Sequence, residues 1–448
     1  MVSGTAPEEL SFQPRADGAP QCYFDFSCDG FHPVRLPASK KEVCIVRDAG
    51  AVRRVMSDPR FSLARLDPDA DTVTGTGYQS PSGMLRQDLP QIRHIRHGMI
   101  PLFSERRVAS WRKEVEDVAD GLLSKLSESR SPADLNKGYF EPLIVRAVAV
   151  SAGISDGESE RLYEFSNGVL VRVEAHGDRV RISKVWRGLY EYTSALLSRK
   201  LTNPDDGLLS KIFAELKNAG LTDDDIVAAS GTILAGFYTP YGILSVCAVE
   251  LFRRPDVVDA CRQDPRLWEW TVEELMRYKA HFNFFLPRVA TEDVTLGNLK
   301  IRAGQVLLPS LHAAVTDPAS LHDPAGFDTN RARRRHNIVF GAGPHFCPGA
   351  ALARQWLQVG LERLFGTLTD VRLATPYSDL EWQPGSYPCP KKCSLTGVRN
   401  RVALVAPGFI AHHGARCRDT RSTMLALFER YAVNPVVTRR GEGWSGRP

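Results

Sequence analysis

The sequence predicts one large domain that is mainly α-helical and carries small antiparallel β-sheets. Apolar residues recur at helical spacing through most of residues 91–278 and again after residue 350. Residues 285–308 alternate in short runs around a Gly-Asn turn, which is typical of paired strands. No low-complexity linker divides the 448 residues, so the length alone does not indicate a second domain.

The composition excludes several classes of protein. Hydrophobic residues make up 43% of the chain and charged residues 24%, which allows a substantial core. The nine cysteines are odd in number and lack paired zinc spacing, so we expect a reducing, cytoplasmic setting. The start has no apolar signal segment and no 18 apolar residues run together, so we expect no membrane contact. A net charge of +5 is too small to indicate a nucleic-acid-binding surface.

Three regions follow one another along the chain. Residues 1–40 are rich in proline, glycine and polar residues and predict an irregular lead-in, whereas residues 41–408 carry the periodic patterns of the main domain. Residues 409–448 form an arginine-rich tail for which we expect poor order. Within the main domain, residues 41–47 predict a strand and residues 52–58 a short helix. The Gly-, Pro-, Ser- and Thr-rich segment that runs on to residue 90 is either a substrate lid or a loose insertion.

The next part of the chain is predicted to be helical. Residues 91–99 form a basic helix that carries His94 and Arg96, and residues 111–201 are helical with breaks at 129–134 and 153–157. Two of these helices flank a turn at residues 175–177. They are compatible with a roof over a pocket and equally with an ordinary layer of the core.

A long apolar helix is predicted from residue 226 to about residue 252, with Thr222 as its N-cap and acidic residues in the first turn. Pro240 falls inside this helix. Since proline has no N–H to give the Gly236 carbonyl, that carbonyl should be freed and the helix should kink. Such a kink is compatible with packing alone as well as with a functional break.

A cysteine stands in a glycine-rich loop ahead of the last predicted helix. Residues 340–349 read Phe-Gly-Ala-Gly-Pro-His-Phe-Cys-Pro-Gly, and residues 350–366 follow with helical spacing. Cys347 would then be the N-cap residue, and the N–H groups of Gly349 and Ala350 should point at its sulfur. A helix N-terminus lowers the pKa of a cysteine and favours the thiolate. The simplest alternative is a buried free cysteine beside a turn.

The spacing Phe-x-x-Gly-x-His-x-Cys-x-Gly resembles the haem-ligand signature of the cytochrome P450 family, and Glu274 with Arg277 resembles its buried, structural Glu-x-x-Arg pair. The resemblance spans residues 40–405. It implies that residues 41–408 are a haem domain and that Cys347 is the thiolate ligand of the iron of haem b. It also implies an oxidoreductase that uses dioxygen and electrons from a ferredoxin and its reductase.

The resemblance assigns further residues to the haem. Arg96, Arg288 and His345 match positions that hold haem propionates, a role that suits the planar fork of arginine. Ile92 stands where relatives have a propionate-binding histidine, and His94 is a candidate substitute. The loop residues implied to lie against the haem are Phe340, Gly341 and Gly349.

Two arginine-rich segments have open roles. In many relatives a third arginine joins the Glu-x-x-Arg pair, but Gly326 stands at its position, so either Arg331 takes over or the network is smaller. Residues 331–335 carry four arginines, and Arg106 and Arg107 follow the Arg96 helix. If both segments lie on the thiolate side of the haem, they form a basic patch for an acidic ferredoxin. A solvated face is the alternative.

Residues 235–240 resemble the family's oxygen groove, in which Ala-Gly accommodates dioxygen and an acid-threonine pair delivers protons to it. Ala235, Gly236 and Thr239 match, but Tyr238 occupies the position of the acid. Because hydroxylation requires ordered proton delivery, the missing acid favours oxidative coupling.

Four further segments resemble the mycocyclosin synthase-like enzymes of this family, which oxidise cyclodipeptides (diketopiperazines). They are residues 60–62, 132–135, 285–291 and 345–354. The resemblance implies coupling of an aromatic cyclodipeptide in secondary metabolism. The alternatives are a monooxygenase that hydroxylates another natural product and a haem-binding sensor or carrier without turnover.

Overall fold

The structure is a computed structural model that describes residues 7–11, 31–36, 40–67, 83–128, 131–170, 179–279, 284–297, 299–331, 337–383 and 389–397. All of the described residues belong to one compact unit, which spans residues 1–400. Several predictions fall outside the described residues. They concern the tail at 409–448, the turn at 175–177, residues 68–82 of the long loop and the arginines at 333–335.

Eleven short strands occur in the described part of the chain. They are β1 (Glu8–Glu9), β2 (Phe31–Arg35), β3 (Glu42–Val46), β4 (Phe61–Ser62), β5 (Ala133–Asp134), β6 (Arg288–Ala290), β7 (Val294–Leu296), β8 (Leu299–Ile301), β9 (Val306–Pro309), β10 (Arg372–Leu373) and β11 (Ser394–Thr396). They form one six-stranded sheet in the order β1-β2-β3-β9-β6-β4, a three-stranded sheet β10-β11-β5 and the hairpin β7-β8. The largest sheet is mixed, because β1 pairs in parallel with β2 and β3 in parallel with β9.

Helices make up most of the remaining described residues. They are α1 (Ala49–Ser57), α2 (Gln91–Met99), α3 (Glu105–Ser110), α4 (Arg112–Ser127), α5 (Glu141–Ala152), α6 (Asp156–Leu170), α7 (Arg179–Thr202), α8 (Leu208–Asn218), α9 (Asp223–Gly236), α10 (Pro240–Phe252), α11 (Pro255–Gln263), α12 (Leu267–Tyr278), α13 (Leu311–Val315) and α14 (Ala350–Thr367). A short π-helix, Asn136–Phe140, precedes α5. The predicted class, mainly α with small sheets, is confirmed.

The largest hydrophobic core lies between the helices, and α9 and α10 run through it. Ile226 and Leu234 of α9 and Leu244 and Val249 of α10 are fully buried or nearly so. Asp223–Phe252 is long and apolar enough to cross a membrane by length and composition, but 78% of its most apolar window is buried inside the protein. A helix that is apolar on every face is expected at the centre of a large core.

The lead-in was predicted to be irregular, and part of it is not. Strand β2 pairs with β3 over five residues, from Phe31 opposite Val46 to Arg35 opposite Glu42. Val34 of β2 and Leu36 after it are fully buried. Pro33 concealed the strand in the sequence, because proline lacks the N–H that a sheet interior needs.

The predicted single long helix is interrupted where the kink was expected. Helix α9 ends at Gly236 and α10 begins at Pro240, with Thr222 confirmed as the N-cap of α9 through its side chain and the Asp225 N–H. Contrary to expectation, the Gly236 carbonyl is not freed, because the Thr239 N–H donates to it at 3.3 Å. A tighter turn of the chain thus satisfies the acceptor that proline leaves open. We call residues 236–240 the helix interruption.

Candidate active site

The loop that carries Cys347 is held in place by its own backbone. The Cys347 N–H donates to the Phe340 carbonyl at 2.9 Å, and the Gly341 N–H donates to the Ile338 carbonyl at 2.7 Å. Gly341 has φ of +81°, and a Cβ atom there would lie 2.8 Å from the Phe285 ring. Only glycine fits this position without a shift of its neighbours. The backbone conformation of the loop, and with it the position of the Cys347 sulfur, is therefore fixed.

Helix α14 begins later than predicted. Its N-cap is Gly349 and its first residue is Ala350, whereas Cys347 and Pro348 were expected in those two roles. The Ala350 N–H donates to the Cys347 carbonyl at 3.4 Å and not to the sulfur. The Gly349 N–H does hydrogen-bond the sulfur. One of the two predicted N–H contacts is thus formed, because the turn at 348–349 uses the other.

Burial raises the pKa of the Cys347 thiol, and the Gly349 N–H and the charges of Arg96 and Arg354 lower it only in part. The Gly349 N–H thus favours the thiolate as predicted, but in the protein chain alone burial outweighs it. Desolvation disfavours a charged sulfur more than one N–H group and two nearby guanidinium groups favour it. A metal ion bound to the sulfur supplies the missing stabilisation, since metal ligation deprotonates a thiol.

Three basic side chains from three different elements meet beside this loop. Arg96 comes from α2, Arg288 from β6 and His345 from the short 3-10 helix inside the loop, and their exposed fractions are 9%, 1% and 8%. Burial lowers the pKa of His345 to about 3, and the charges of Arg288 and Arg96 add to the effect. Arg96 also donates to the Phe346 carbonyl at 2.5 Å. Buried like charges repel one another, so this cluster is suited to an anionic group.

His94 does not join this cluster. Its imidazole lies on an exposed part of α2, and its Nε2 atom is 3.0 Å from the Ala219 carbonyl oxygen beyond the end of α8. Two residues along a helix point to nearly opposite faces, so His94 and Arg96 cannot serve one contact. The structure thus withdraws His94 as a propionate partner and leaves Ile92, which is fully buried, in the histidine position.

Open space lies beside the helix interruption, at Gly236. Ala235 is buried, but Gly236 is exposed although it lies inside the core helix, and a Cβ atom on Gly236 would have no atom within 4 Å. Thr239 is partly buried. An exposed residue at the end of an otherwise buried core helix indicates a space that a ligand can fill.

Tyr238, at the position of the missing acid, is turned into the protein. Its hydroxyl donates to the Ser159 carbonyl at 2.8 Å and lies 2.9 Å from the Ser159 hydroxyl. Only 3% of Tyr238 is exposed, and burial raises the pKa of its phenol. Tyr238 therefore ties the interruption to α6 and keeps its proton.

The residues of the site fit a haem. Cys347 is partly exposed and available to an iron, and the basic cluster matches the two carboxylates of a haem. The Nδ1 atom of His345 is buried without a hydrogen-bond partner among the described residues. The open space at Gly236 offers room on the side of the helix interruption. Among the described residues, the thiol, the buried basic groups, the His345 Nδ1 atom and the open space are each suited to a bound group that the protein chain does not itself supply.

Glu274 and Arg277 form the buried pair expected of them, with exposed side-chain fractions of 1% and 6%. Arg277 donates to both carboxylate oxygens of Glu274, at 2.9 and 2.8 Å, and to the carbonyls of Pro324 and Gly326. Arg331 approaches Glu274 at 3.4 Å. Of the two alternatives, Arg331 therefore takes the place of the third arginine. Because the Arg331 side chain is only 12% exposed, it does not belong to a surface patch.

The rest of the predicted basic patch is not tested, because Arg333, Arg334 and Arg335 lie outside the described residues. Arg107 donates to the Asp206 carbonyl at 2.8 Å, and its guanidinium lies 5.4 Å from the centre of the Trp111 ring. Arg106 is exposed. The donor surface remains a prediction.

Sequence reasoning missed a second ionic contact that secures the Cys347 loop. Glu273, next to Glu274, pairs with Arg354 of α14, and the Arg354 guanidinium lies 4.5 Å from the centre of the Phe340 ring. The Asn337 amide donates to the Glu273 carbonyl at 3.3 Å. The signal in the sequence is the adjacent acid pair Glu273-Glu274, in which the family pattern accounts for the second residue alone.

Comparison with known proteins agrees with this site. A family model described as cytochrome P450 matches residues 176–369. Nocardicin C N-oxygenase from Nocardia uniformis subsp. tsuyamanensis is 33% identical over 79% of this chain and 88% of its own length. Cytochrome P450-SU2 from Streptomyces griseolus is 31% identical over 85% of this chain and 95% of its own length.

Solved structures share the fold. SgvP, a candidate thioether synthase involved in griseoviridin tailoring, has a TM-score of 0.78 and 28% identity, and covers 88% of this chain and 100% of its own. Mycinamicin VIII C21 methyl hydroxylase from Micromonospora griseorubida has a TM-score of 0.76 and 27% identity, with 86% and 98% covered.

Proposed function

We propose that this chain, which belongs to the cytochrome P450 family, oxidises an aromatic cyclodipeptide by coupling. As a member of that family it is a haem-dependent oxidoreductase with a cysteine thiolate on the iron. Its relatives from bacterial secondary metabolism are enzymes, which removes the sensor or carrier alternative. When bound, the haem supplies one-electron oxidation driven by dioxygen. The chain's residues hold the haem and select the reaction of the oxidised substrate.

Seven residues are assigned to the haem site. Cys347 is the iron ligand, with the Gly349 N–H on its sulfur. Arg96, Arg288 and His345 pair with the propionates, and the loop residues Phe340 and Gly341 support the ring from the thiolate side. This assignment is supported by the burial of the three basic groups and by the unpartnered His345 Nδ1 atom.

The observation that carries the proposal is the state of Tyr238. A groove acid gives up protons readily near neutral pH, whereas the pKa of this phenol is raised and its hydrogen is donated to the Ser159 carbonyl. At the helix interruption, Thr239 is then the side chain left to pass on a proton, by way of water. A substrate that carries a phenol, indole or amide hydrogen brings an additional acidic hydrogen into the site.

Coupling suits such a site. Two hydrogen atoms leave the substrate, a carbon-carbon or carbon-nitrogen bond forms, and dioxygen is reduced to water with two donor electrons and two protons. The bond forms within one molecule, between two copies or to another aromatic partner. SgvP, which is 28% identical to this chain, is named as a candidate thioether synthase and not as a hydroxylase. Its name supports a reaction other than hydroxylation on this fold.

The second candidate function is hydroxylation of a different natural product. It is favoured by the relatives whose names state oxygen insertion, nocardicin C N-oxygenase at 33% identity and mycinamicin IV hydroxylase/epoxidase at 30%. Thr239 and water provide a route for the protons that dioxygen takes up in this reaction, as they do in coupling. The two candidate functions differ in the elemental balance of the product.

Product mass decides between them. The haem-loaded enzyme, with a ferredoxin and its reductase, is given a panel of cyclodipeptides that contain tyrosine, tryptophan or phenylalanine, after a spin-state titration has identified those that bind. Loss of two hydrogens, or the joining of two units, supports coupling. A gain of one oxygen supports the hydroxylase. Absence of a spin-state change with every aromatic cyclodipeptide would overturn the substrate class.

The electron donor and the location belong to the same proposal. Soluble bacterial relatives of this kind support a ferredoxin-type donor and a cytoplasmic setting. Reduction of the loaded protein by ferredoxin, measured at rising salt concentration, tests the donor, because steering by opposite charges weakens as salt screens them.

A further inference from the structure

Three consecutive residues near the start of α14 contact the rest of the protein on different sides of the helix. Arg354 pairs with Glu273 of α12, and the Gln355 amide donates to the Val108 carbonyl of α3 at 2.8 Å. Trp356 is the third residue, and only 1% of it is exposed. Successive residues of a helix point about 100° apart, so the beginning of α14 is held from three directions.

Trp356 contacts the helix interruption. The centres of the Trp356 and Phe237 rings are 6.4 Å apart with the planes at 72°, and only 6% of Phe237 is exposed. Phe237 lies between Gly236 and Tyr238, so this contact is made by the interruption itself. The indole N–H of Trp356 is buried without a partner among the described residues. Edge-to-face packing, rather than a hydrogen bond from the indole, therefore places the ring.

One turn further along, α14 contacts the helix that follows the interruption. Gly360 comes four residues after Trp356, and residues four apart lie on one face of a helix. A Cβ atom on Gly360 would lie 2.9 Å from the Cδ2 atom of Leu244 in α10, so glycine allows the two helices to approach closely. The Gly360 carbonyl also accepts from the Tyr139 hydroxyl at 2.9 Å. One face of α14 thus contacts both the interruption and α10.

The backbone of the interruption is held together weakly. Its two bridging hydrogen bonds, from the Thr239 N–H to the Gly236 carbonyl and from the Tyr241 N–H to the Tyr238 carbonyl, are both 3.3 Å long. The usual length is about 2.9–3.0 Å. A tight turn inside a helix is a place where the two flanking segments can change their angle. The uninterrupted helix α14, packed across this break, limits that change.

We propose that Trp356 is a positioning residue, which holds the helix interruption, and with it Thr239, in one place relative to Cys347. Helix α14 begins three residues after Cys347, so a single helix connects the assigned iron ligand to the ring that contacts Phe237. The proposal requires the family-level activity and the proton-transfer role of Thr239. It does not require the cyclodipeptide assignment, so the two proposals can fail separately.

The test replaces the indole and examines the haem-loaded protein. Trp356→Leu removes the ring contact, whereas Trp356→Phe keeps an aromatic ring and loses only an N–H without a partner. The infrared stretching band of carbon monoxide bound to the reduced protein reports how the groups around that ligand are placed. We expect one narrow band for the wild type and for Trp356→Phe, and a broader band with a second component for Trp356→Leu. This readout needs neither substrate nor electron donor.

A second readout is the fate of the donor electrons during turnover of a substrate that changes the spin state. Product formed per electron should fall roughly tenfold in Trp356→Leu, with a matching rise in peroxide release, because misplacing a reacting group by about 1 Å can cost about 100-fold in rate. Trp356→Phe should restore most of the product yield.

Trp268→Leu is the matched control. Trp268 of α12 is also buried, with 2% exposed, and its ring lies 6.3 Å from that of Phe365 near the other end of α14. Its replacement should lower the denaturant midpoint to a similar extent but leave the carbon monoxide band and the product yield unchanged. Equal changes in the two leucine variants would assign the effect to general loosening of the core and overturn the proposal. An unchanged band and yield in Trp356→Leu would overturn it as well.

Phe237→Leu tests the same contact from the other side, and it decides the matter if Trp356→Leu does not fold or load haem. It should broaden the band as Trp356→Leu does, and the double variant should add little, because the contact is already lost in each single variant. A haem-loaded Phe237→Leu protein with the wild-type band would contradict the positioning role.

Discussion

The Cys347 loop and the helix interruption are built in different ways. The loop is fixed by backbone hydrogen bonds, by a glycine that no other residue can replace and by the Glu273–Arg354 pair. The interruption is a gap in a helix. It is bridged by two backbone hydrogen bonds of 3.3 Å, from the Thr239 and Tyr241 N–H groups, and by the Tyr238 contact with Ser159. The loop residues are those assigned to the cofactor. The helix interruption is where the chain departs from the family pattern, and it is the region to which our proposal assigns the choice of reaction.

The largest expected effect comes from the Cys347 loop. Cys347→Ser should abolish the thiolate band in the carbon monoxide difference spectrum of the reduced protein, since a serine hydroxyl does not ligate iron as a thiolate does. Cys261→Ser is the matched control, because Cys261 is a buried cysteine that lies 3.2 Å from the Thr271 hydroxyl, outside the site. If Cys347→Ser kept the band, another residue would be the ligand.

The second effect concerns the support beneath the loop. Arg277→Lys removes the fork that binds both oxygens of Glu274 and three backbone carbonyls, and it leaves a buried carboxylate poorly paired. Breaking a buried pair costs about 3–5 kcal/mol, and the loss should appear as a lower denaturant midpoint with early release of haem.

Arg266→Lys provides the comparison for that experiment. Arg266 pairs with Asp264 in the same 2.8 Å geometry, but its side chain is 88% exposed, so no measurable change is expected. Equal destabilisation by the two substitutions would contradict a structural role for the Glu274–Arg277 pair.

A smaller effect is expected at Arg354, which links the loop to α12. Its side chain is 39% exposed, so Arg354→Gln should lower the free energy of unfolding by only about 1 kcal/mol after solvent screening. The reduction potential is the sharper readout. Removing a positive charge close to the thiolate disfavours the added electron, so the potential of the haem should become more negative.

Arg363→Gln is the matched control for Arg354. Arg363 lies on the same helix and pairs with Asp120 at a similar exposed fraction of 38%, but it is farther along α14 from Cys347. Its replacement should leave the potential unchanged. A shift of the same size in both variants would assign the effect to helix α14 and not to the charge beside the sulfur.

The contrast between the two regions also explains how far the sequence was predictive. The family resemblance implied that Cys347, Arg96 and Arg288 meet at one site, and local patterns of glycine, helix and strand predicted the loop, α2 and β6 that carry them. Proline at 240 predicted the kink for the same reason.

The contacts that the sequence could not predict depended on tertiary structure. The Gly236 carbonyl found the Thr239 N–H, the Ala350 N–H was taken by a turn, and His94 turned to the Ala219 carbonyl. In each case the residue had a local role that was reasonable, and a neighbour remote in sequence or a tighter turn supplied a different partner. The burial that raises the pKa of Cys347 is of the same kind, because desolvation is set by the whole fold.

The smallest expected effect tests the helix interruption directly. Tyr238→Phe keeps the ring and removes the hydrogen bond to the Ser159 carbonyl, so the free energy of unfolding should fall by about 1 kcal/mol. Because burial raises the pKa of this phenol, it is not the proton donor, and the ratio of coupled to oxygenated product should stay the same. Thr239→Val also changes the shape little, but it removes the remaining hydroxyl. It should lower product formed per electron consumed and raise peroxide release. If Tyr238→Phe instead produced that uncoupling while Thr239→Val did not, the tyrosine would be acting as the groove acid, and the argument for coupling from a missing acid would fail.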